Sequence, residues 1–154
     1  MKKIIVAVVL IAAIAILFSR AGVHKTASDC VFYNLDGQEL KIGNYKGKSV
    51  ILLFWTTWCP YCRESLPIAN SMYPDMIESG IELFGVNIQE SHDLVAQYIN
   101  AHPVDFQMLS DKDGSCARSY GVVGIPSYIL INRQGKVVAK QNSLPKNYKD
   151  LLSE

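Results

Sequence analysis

Residues Val50 to Trp55 form a continuous apolar run, and Cys59-Pro60-Tyr61-Cys62 begins four residues after its end. A β-favouring run of this kind cannot keep one face wet and one face dry. It reads as a strand buried on both sides, so the sheet that holds it must be covered above and below. After it the spacing changes. Leu66, Ala69, Met72, Tyr73 and Met76 recur at helical intervals, and Pro60 to about Ser79 reads as a helix, with Pro67 and Pro74 expected to kink or break it.

The rest of the chain alternates in the same way. Cys30–Asn34 and Gln38–Ile42 read as short strands around Asp36-Gly37, a dipeptide suited to a hairpin, and Asn44–Lys48 is turn-like. Ile81–Ile88 reads as a second buried strand. Ser91 suits the N-cap of a helix through Asn100, with Asp93 well placed in its first turn. Phe106–Leu109 reads as a short strand, and Asp113-Gly114 leads into a helix ending near Tyr120. Tyr128–Ile131 and Val137–Lys140 flank a turn at Asn132–Gly135, and a helix at Tyr148–Leu152 closes the chain. At 154 residues this is one α/β domain, with a central mixed sheet flanked by helices.

The first segment stands apart from that domain. Lys2 and Lys3 precede an unbroken apolar run from Ile4 to Phe18, which ends at Ser19-Arg20. This layout is that of a signal anchor or a cleaved signal peptide. A helix over the run spans roughly 22 Å, short for a bilayer core, but Ala21–Val23 extend it if Arg20 snorkels. No clean A-x-A site follows, which favours the anchor, and Asp29 before Cys30 spoils a lipoprotein signal. The expected organisation is an anchor or signal over residues 1–20, a linker over 21–29 and the domain over 30–154. Either version of the first segment puts the domain outside the cytoplasm, with Lys2 and Lys3 holding the N-terminus inside. Four of the 15 basic residues lie in the first 25 positions with no acid, so the domain itself is mildly acidic. That balance argues against a nucleic-acid partner.

Two cysteines separated by two residues, where a buried strand enters a helix, can close a small disulfide ring. Unpaired N–H groups and the dipole at the helix start stabilise a thiolate there. Cys59 gains most and is expected to be the exposed nucleophile, with Cys62, one turn in, the more buried resolving thiol. Exchange would run through a mixed disulfide on Cys59 that Cys62 resolves. Pro60 suits the first helical position because it has no N–H to leave unpaired. A zinc site lacks a second ligand pair at suitable spacing, since Cys30, Cys116 and the three histidines are scattered. Haem attachment requires His after the second cysteine, where Arg63 stands. A purely structural disulfide stays open. A thiol peroxidase fits less well, because Thr56 matches its pattern but Leu52 stands where that pattern has proline.

The ordered set of segments around this pair resembles the thioredoxin superfamily, and within it the TlpA/ResA type of membrane-anchored thiol–disulfide oxidoreductases. The likeness runs over about residues 28–141. It includes Asn34-Leu-Asp-Gly37, Tyr45-Lys-Gly-Lys48, Leu53-Phe-Trp-Thr-Thr-Trp-Cys59, Pro67, Gly85-Val-Asn-Ile-Gln-Glu-Ser91, Ser119-Tyr-Gly-Val-Val-Gly-Ile-Pro-Ser127 and Tyr128-Ile-Leu-Ile-Asn-Arg-Gln-Gly135. The resemblance implies a thioredoxin-like fold with an N-terminal β-hairpin and an inserted strand–helix beginning near Gly85–Ser91. It implies that Cys59 and Cys62 are catalytic and that Pro126 is the family's cis-proline. Such a bond exposes the backbone of Ile125 for pairing with an extended partner chain. Trp58, Pro60 and Tyr61 complete the implied substrate contact, although packing alone could account for Trp58.

The implied partners are protein disulfide substrates, of which apocytochrome cysteines are one class, and an upstream membrane thiol donor. The N-terminal helix would contact the membrane. No metal or cofactor is implied. Reduction is favoured over disulfide formation, and a fold kept for binding without catalysis is the remaining reading. Two positions depart from the family. Leu53 stands where thioredoxins carry a buried acid, and Ser65 stands where many relatives have Glu, with Glu64 one place earlier. Cys30 and Cys116 read as inert buried thiols or as a second disulfide. His92 and His102 read as surface residues.

Overall fold

The computed structural model describes residues 30–153; the expected anchor or signal and the linker lie outside them. Among the described residues no helix is long and apolar enough to cross a membrane. Seven strands make one mixed sheet: β1 Val31–Asn34, β2 Glu39–Lys41, β3 Ser49–Trp55, β4 Ile81–Ile88, β5 Gln107–Asp111, β6 Ser127–Ile131 and β7 Val137–Gln141. Among the described residues four helices flank it: α1 Pro60–Glu78, α2 His92–Ala101, α3 Ser115–Ser119 and α4 Tyr148–Ser153, with a 3-10 turn at Ile42–Tyr45. The strand order is β2-β1-β5-β4-β3-β6-β7.

The apolar run from Val50 takes the position its composition demands. β3 runs parallel to β4 and antiparallel to β6, and all seven of its residues are buried. Successive side chains enter two separate cores. Ile51, Leu53 and Trp55 pack with Leu66, Ala69 and Met76 of α1, Val95 of α2 and Tyr148 and Leu152 of α4. Val50, Leu52 and Phe54 pack on the opposite face with Phe32, Phe84, Ile42 and the α3 residues Cys116 and Ala117. Each fully buried Leu or Phe contributes about 1.5–3 kcal/mol, so β3 alone anchors both layers.

Both hairpins form where Asp36-Gly37 and the turn at Asn132–Gly135 place them. Gly37 takes φ +79°, and the Asn34 side chain accepts the N–H groups of Asp36 and Gln38. The segment assigned to an insertion supplies α2 and then β5, in the order helix–strand, while β4 is itself a central strand. At the β4–β5 seam a Cβ on Gly85 would stand 2.5 Å from Met108 Sδ, so a larger residue there would oblige the Met108 side chain to move.

The prolines of α1 do not break it. The helix continues through Pro67 and Pro74, and both rings lie on its exposed side. They are seven residues apart and so fall on one stripe. The carbonyls they deprive of a partner belong to Arg63 and Asn70, neither of which is buried, while Leu66, Ala69 and Met76 hold the opposite face to the core.

Candidate functional site

The site is built where β3 ends and α1 begins. Cys59 is the N-cap of α1, with extended φ −80°, ψ 114°, and Pro60 occupies the first turn. The Cys62 N–H donates to Cys59 Sγ at 3.2 Å, and the N–H groups of Cys62 and Arg63 both reach the Cys59 carbonyl at 3.2 Å. The two cysteines are joined as a disulfide with their Cα atoms 5.2 Å apart. A thiolate at Cys59 would therefore sit against a backbone donor at the positive end of a 19-residue helix.

In this oxidised form Cys59 is nearly as buried as Cys62, 3% against 0% exposed, where the sequence suggests an exposed sulfur. The exposed groups are its neighbours, Trp58 at 67% and Tyr61 at 71%. The other wall comes from the loop before β6. The Ile125–Pro126 bond is cis, and the Ile125 carbonyl oxygen lies 3.8 Å from Cys59 Sγ, within reach of a thiol proton once the disulfide opens. Asn142 Nδ2 donates to the Pro126 carbonyl at 2.9 Å and holds the loop from behind. Tyr61, Glu64, Ser65, Ile68, Ile125 and Pro126 line a shallow groove beside the disulfide. The fold thus brings Trp58, Cys59, Pro60, Tyr61, Cys62, Ile125 and Pro126 to one place.

Four further residues, Thr57, Arg63, Asn87 and Glu90, hold the cysteine-bearing link in place, and the sequence offers no reason to count them among the site residues. The Glu90 carboxylate accepts from Thr57 N at 2.7 Å, Thr57 Oγ1 at 2.6 Å and Asn87 Nδ2 at 2.6 Å. Arg63 Nε donates to the Thr57 carbonyl at 3.0 Å. The strand-to-helix link is therefore fixed by Glu90, just after β4, on one side and from α1 on the other. The segment Gly85–Ser91 holds Glu90, but its partner Thr57 lies 33 positions away, and nothing local announces the contact.

A family model described as the AhpC/TSA family matches residues 23–140, most of the chain. The chain belongs to the AhpC/TSA family. The thiol-disulfide oxidoreductase ResA of Bacillus thuringiensis subsp. konkukian is 33% identical over 116 residues, covering 75% of this chain and 67% of that protein. StoA from Bacillus subtilis superposes with a TM-score of 0.67 at 27% identity, covering 79% of this chain and 94% of that one. The thioredoxin domain of a thiol-disulfide oxidoreductase from Bacteroides vulgatus gives a TM-score of 0.68 at 26% identity, with coverages of 78% and 86%. The thioredoxin-like fold and the thiol–disulfide oxidoreductase class that the resemblance implies both stand, with Cys59 and Cys62 at disulfide distance.

This AhpC/TSA chain keeps its two departures in the folded site. Leu53 is fully buried in the same core as Cys59 and Cys62, so no carboxylate stands behind the pair at that position. Ser65 hydrogen-bonds the buried Tyr128, whose hydroxyl is raised above its ordinary value by burial. Glu64 is exposed on the groove. His92 and His102 are exposed, and among the described residues no cluster of side chains is arranged to hold a metal ion.

Proposed function

We propose that this chain is a membrane-tethered, extracytoplasmic enzyme that reduces disulfides in specific protein substrates through Cys59 and Cys62. One observation carries the reading: Cys59 Sγ receives a helix N-terminal N–H while standing beside the backbone of Ile125 and a shallow groove of mixed polarity. That combination suits an extended peptide that presents a sulfur. In the reduced enzyme the Cys59 thiolate attacks a substrate disulfide, forming a mixed disulfide and releasing one substrate thiolate. The Cys62 thiolate then attacks Cys59 Sγ, freeing the second substrate sulfur and closing the Cys59–Cys62 ring. A membrane thiol donor returns the pair to the dithiol.

Trp58, Pro60 and Tyr61 form one wall of the peptide site, and the Ile125–Pro126 loop forms the other, where Ile125 offers backbone groups for strand-like pairing. Apocytochrome cysteines are a substrate class that fits, because they lie in extended, unfolded chain. Residues 1–20 serve as the anchor, residues 21–29 as the linker and residues 30–154 as the domain. The apolar run Ile4–Phe18 between Lys2-Lys3 and Arg20 supports the tether.

Cys62→Ser in the full chain tests the reading. The variant is expected to accumulate mixed disulfides on Cys59 with extracytoplasmic proteins, and Cys59→Ser to accumulate none. A redox potential as oxidising as the roughly −120 mV of strong disulfide donors would reverse the assigned direction. Failure of Cys62→Ser to trap any protein would remove the catalytic reading altogether.

A further inference from the structure

A second cysteine pair lies on the opposite face of the sheet from Cys59 and Cys62. Cys30 and Cys116 are thiols, 6% and 2% exposed, and both belong to the core that contains Leu52 and Phe54. The fold carries them together along a defined path. Cys30 directly precedes β1, which pairs antiparallel with β5 through Tyr33↔Ser110 and Asn34↔Leu109. The chain leaving β5 turns at Gly114, with φ +69°, and returns as α3. The buried Asp111 carboxylate fixes that return by accepting from Cys116 N at 3.2 Å and Ala117 N at 2.7 Å. Cys116 Sγ then lies 3.7 Å from the carbonyl oxygen of Val31, the residue after Cys30, and the Cys116 thiol is in hydrogen-bonding contact with that of Cys30.

We propose that Cys30 and Cys116 close a second, structural disulfide that staples the start of β1 to α3, and that they close it during folding. Closure is thiol–disulfide exchange with a donor disulfide, either a small molecule or another protein. One cysteine thiolate attacks the donor S–S bond, giving a mixed disulfide and one donor thiolate. The other cysteine thiolate displaces the second donor sulfur. The donor gains two electrons and leaves as two thiols, which carry the two protons lost from Cys30 and Cys116.

The timing follows from the surroundings. In the folded chain, hydrogen bonding with Cys30 and burial hold the Cys116 thiol far above its ordinary value, so little thiolate is present. Tyr120 and Asp111 also face the pair, and neither supplies positive charge. With both sulfurs packed in the core that holds Leu52 and Phe54 and little thiolate present, attack on a donor disulfide is slow in the folded chain. Before folding, both groups are ordinary thiols. Once closed, the bond is shielded by the same core from attacking thiolates. β3 also separates it from Cys59 and Cys62, so the two pairs cannot exchange within one molecule.

The test uses the full chain, reduced and unfolded, then refolded with oxidised glutathione in excess. Thiols are alkylated under denaturing conditions and the protein is mapped by peptide mass. The expected result is one unalkylated, linked peptide pair holding Cys30 and Cys116, lighter by two hydrogens than the two thiol peptides. The same donor added to folded, reduced chain should close this pair at least about tenfold more slowly, in line with the scarcity of thiolate. Full alkylation of both cysteines after refolding overturns the disulfide, and equally fast closure in the folded chain overturns the timing. In Cys59→Ser/Cys62→Ser, the oxidised form should melt about 10 °C above the reduced form. An unchanged midpoint removes the structural role. The peptide map of the unsubstituted chain decides the pairing even if that variant fails to fold.

Discussion

Cys59–Cys62 on one face of β3 and Cys30–Cys116 on the other are made of the same residue type at similar depth, 3% and 0% exposed against 6% and 2%. Their backbone surroundings differ. Cys59 caps a long helix and its sulfur receives an N–H, whereas Cys116 Sγ meets a carbonyl oxygen and another thiol. The first setting lowers the cost of a thiolate and the second raises it. Burial alone therefore does not separate a cysteine suited to exchange from one that is not. The polarity of the nearest backbone group does, together with the route to solvent beside it.

The largest test of this contrast is to remove one sulfur from each face. Cys59→Ser is expected to abolish reduction of a disulfide substrate such as insulin, while Cys30→Ala leaves the rate unchanged. A comparable loss in both would erase the distinction between the faces. A finer test uses adjacent residues of β3 that point to opposite cores. Leu53→Ala and Leu52→Ala should each cost about 2–5 kcal/mol in urea unfolding. Only Leu53→Ala should also shift the potential of the Cys59–Cys62 couple, since only Leu53 shares its core. Equal shifts would show that the sheet transmits rather than separates.

Glu90→Gln should cost about 1–3 kcal/mol, because the amide turns a donor toward Thr57 or Asn87 where the carboxylate accepts from both. Glu64→Gln, on the exposed groove, should leave urea stability unaltered. The smallest effect lies at the outer layer of the Cys59–Cys62 face. Lys149 and Tyr148 donate to Asp75 and hold its carboxyl below the ordinary value, docking α4 on α1. A lowered carboxylate stabilises the fold above its unfolded value of about 4, and that gain fades as pH falls through the lower folded value. Asp75→Asn should therefore flatten a slight acid-side decline in melting temperature. A decline equal to that of the unsubstituted chain would exclude Asp75 as its source.

Much of this arrangement is legible in the sequence where the governing interactions are local. The apolar run from Val50, the hairpin dipeptides at Asp36-Gly37 and Asn132–Gly135, and the Ser91 cap each act within a few residues, and each appears where its chemistry places it. The Cys59–Cys62 spacing is legible for the same reason. The misses are non-local. Pro67 and Pro74 argue locally for a kink or a break, and the buried stripe on the far side of α1 excludes the break. The Glu90–Thr57 clasp, the contact of Cys116 with the start of β1 and the cover over Cys59 each join segments far apart in the chain. No periodicity encodes such a meeting.

The sheet ends at both edges in short antiparallel hairpin strands. β2 has three residues, with Glu39 and Lys41 exposed, and β7 is offset by a register shift and carries the exposed Lys140. Such edges resist the adventitious strand addition that leads to aggregation. In the proposed exchange the enzyme repeatedly meets unfolded, sticky polypeptide. Its charged borders would disfavour pairing with that polypeptide, which under the proposed function would instead be met at Ile125, beside the Cys59 sulfur.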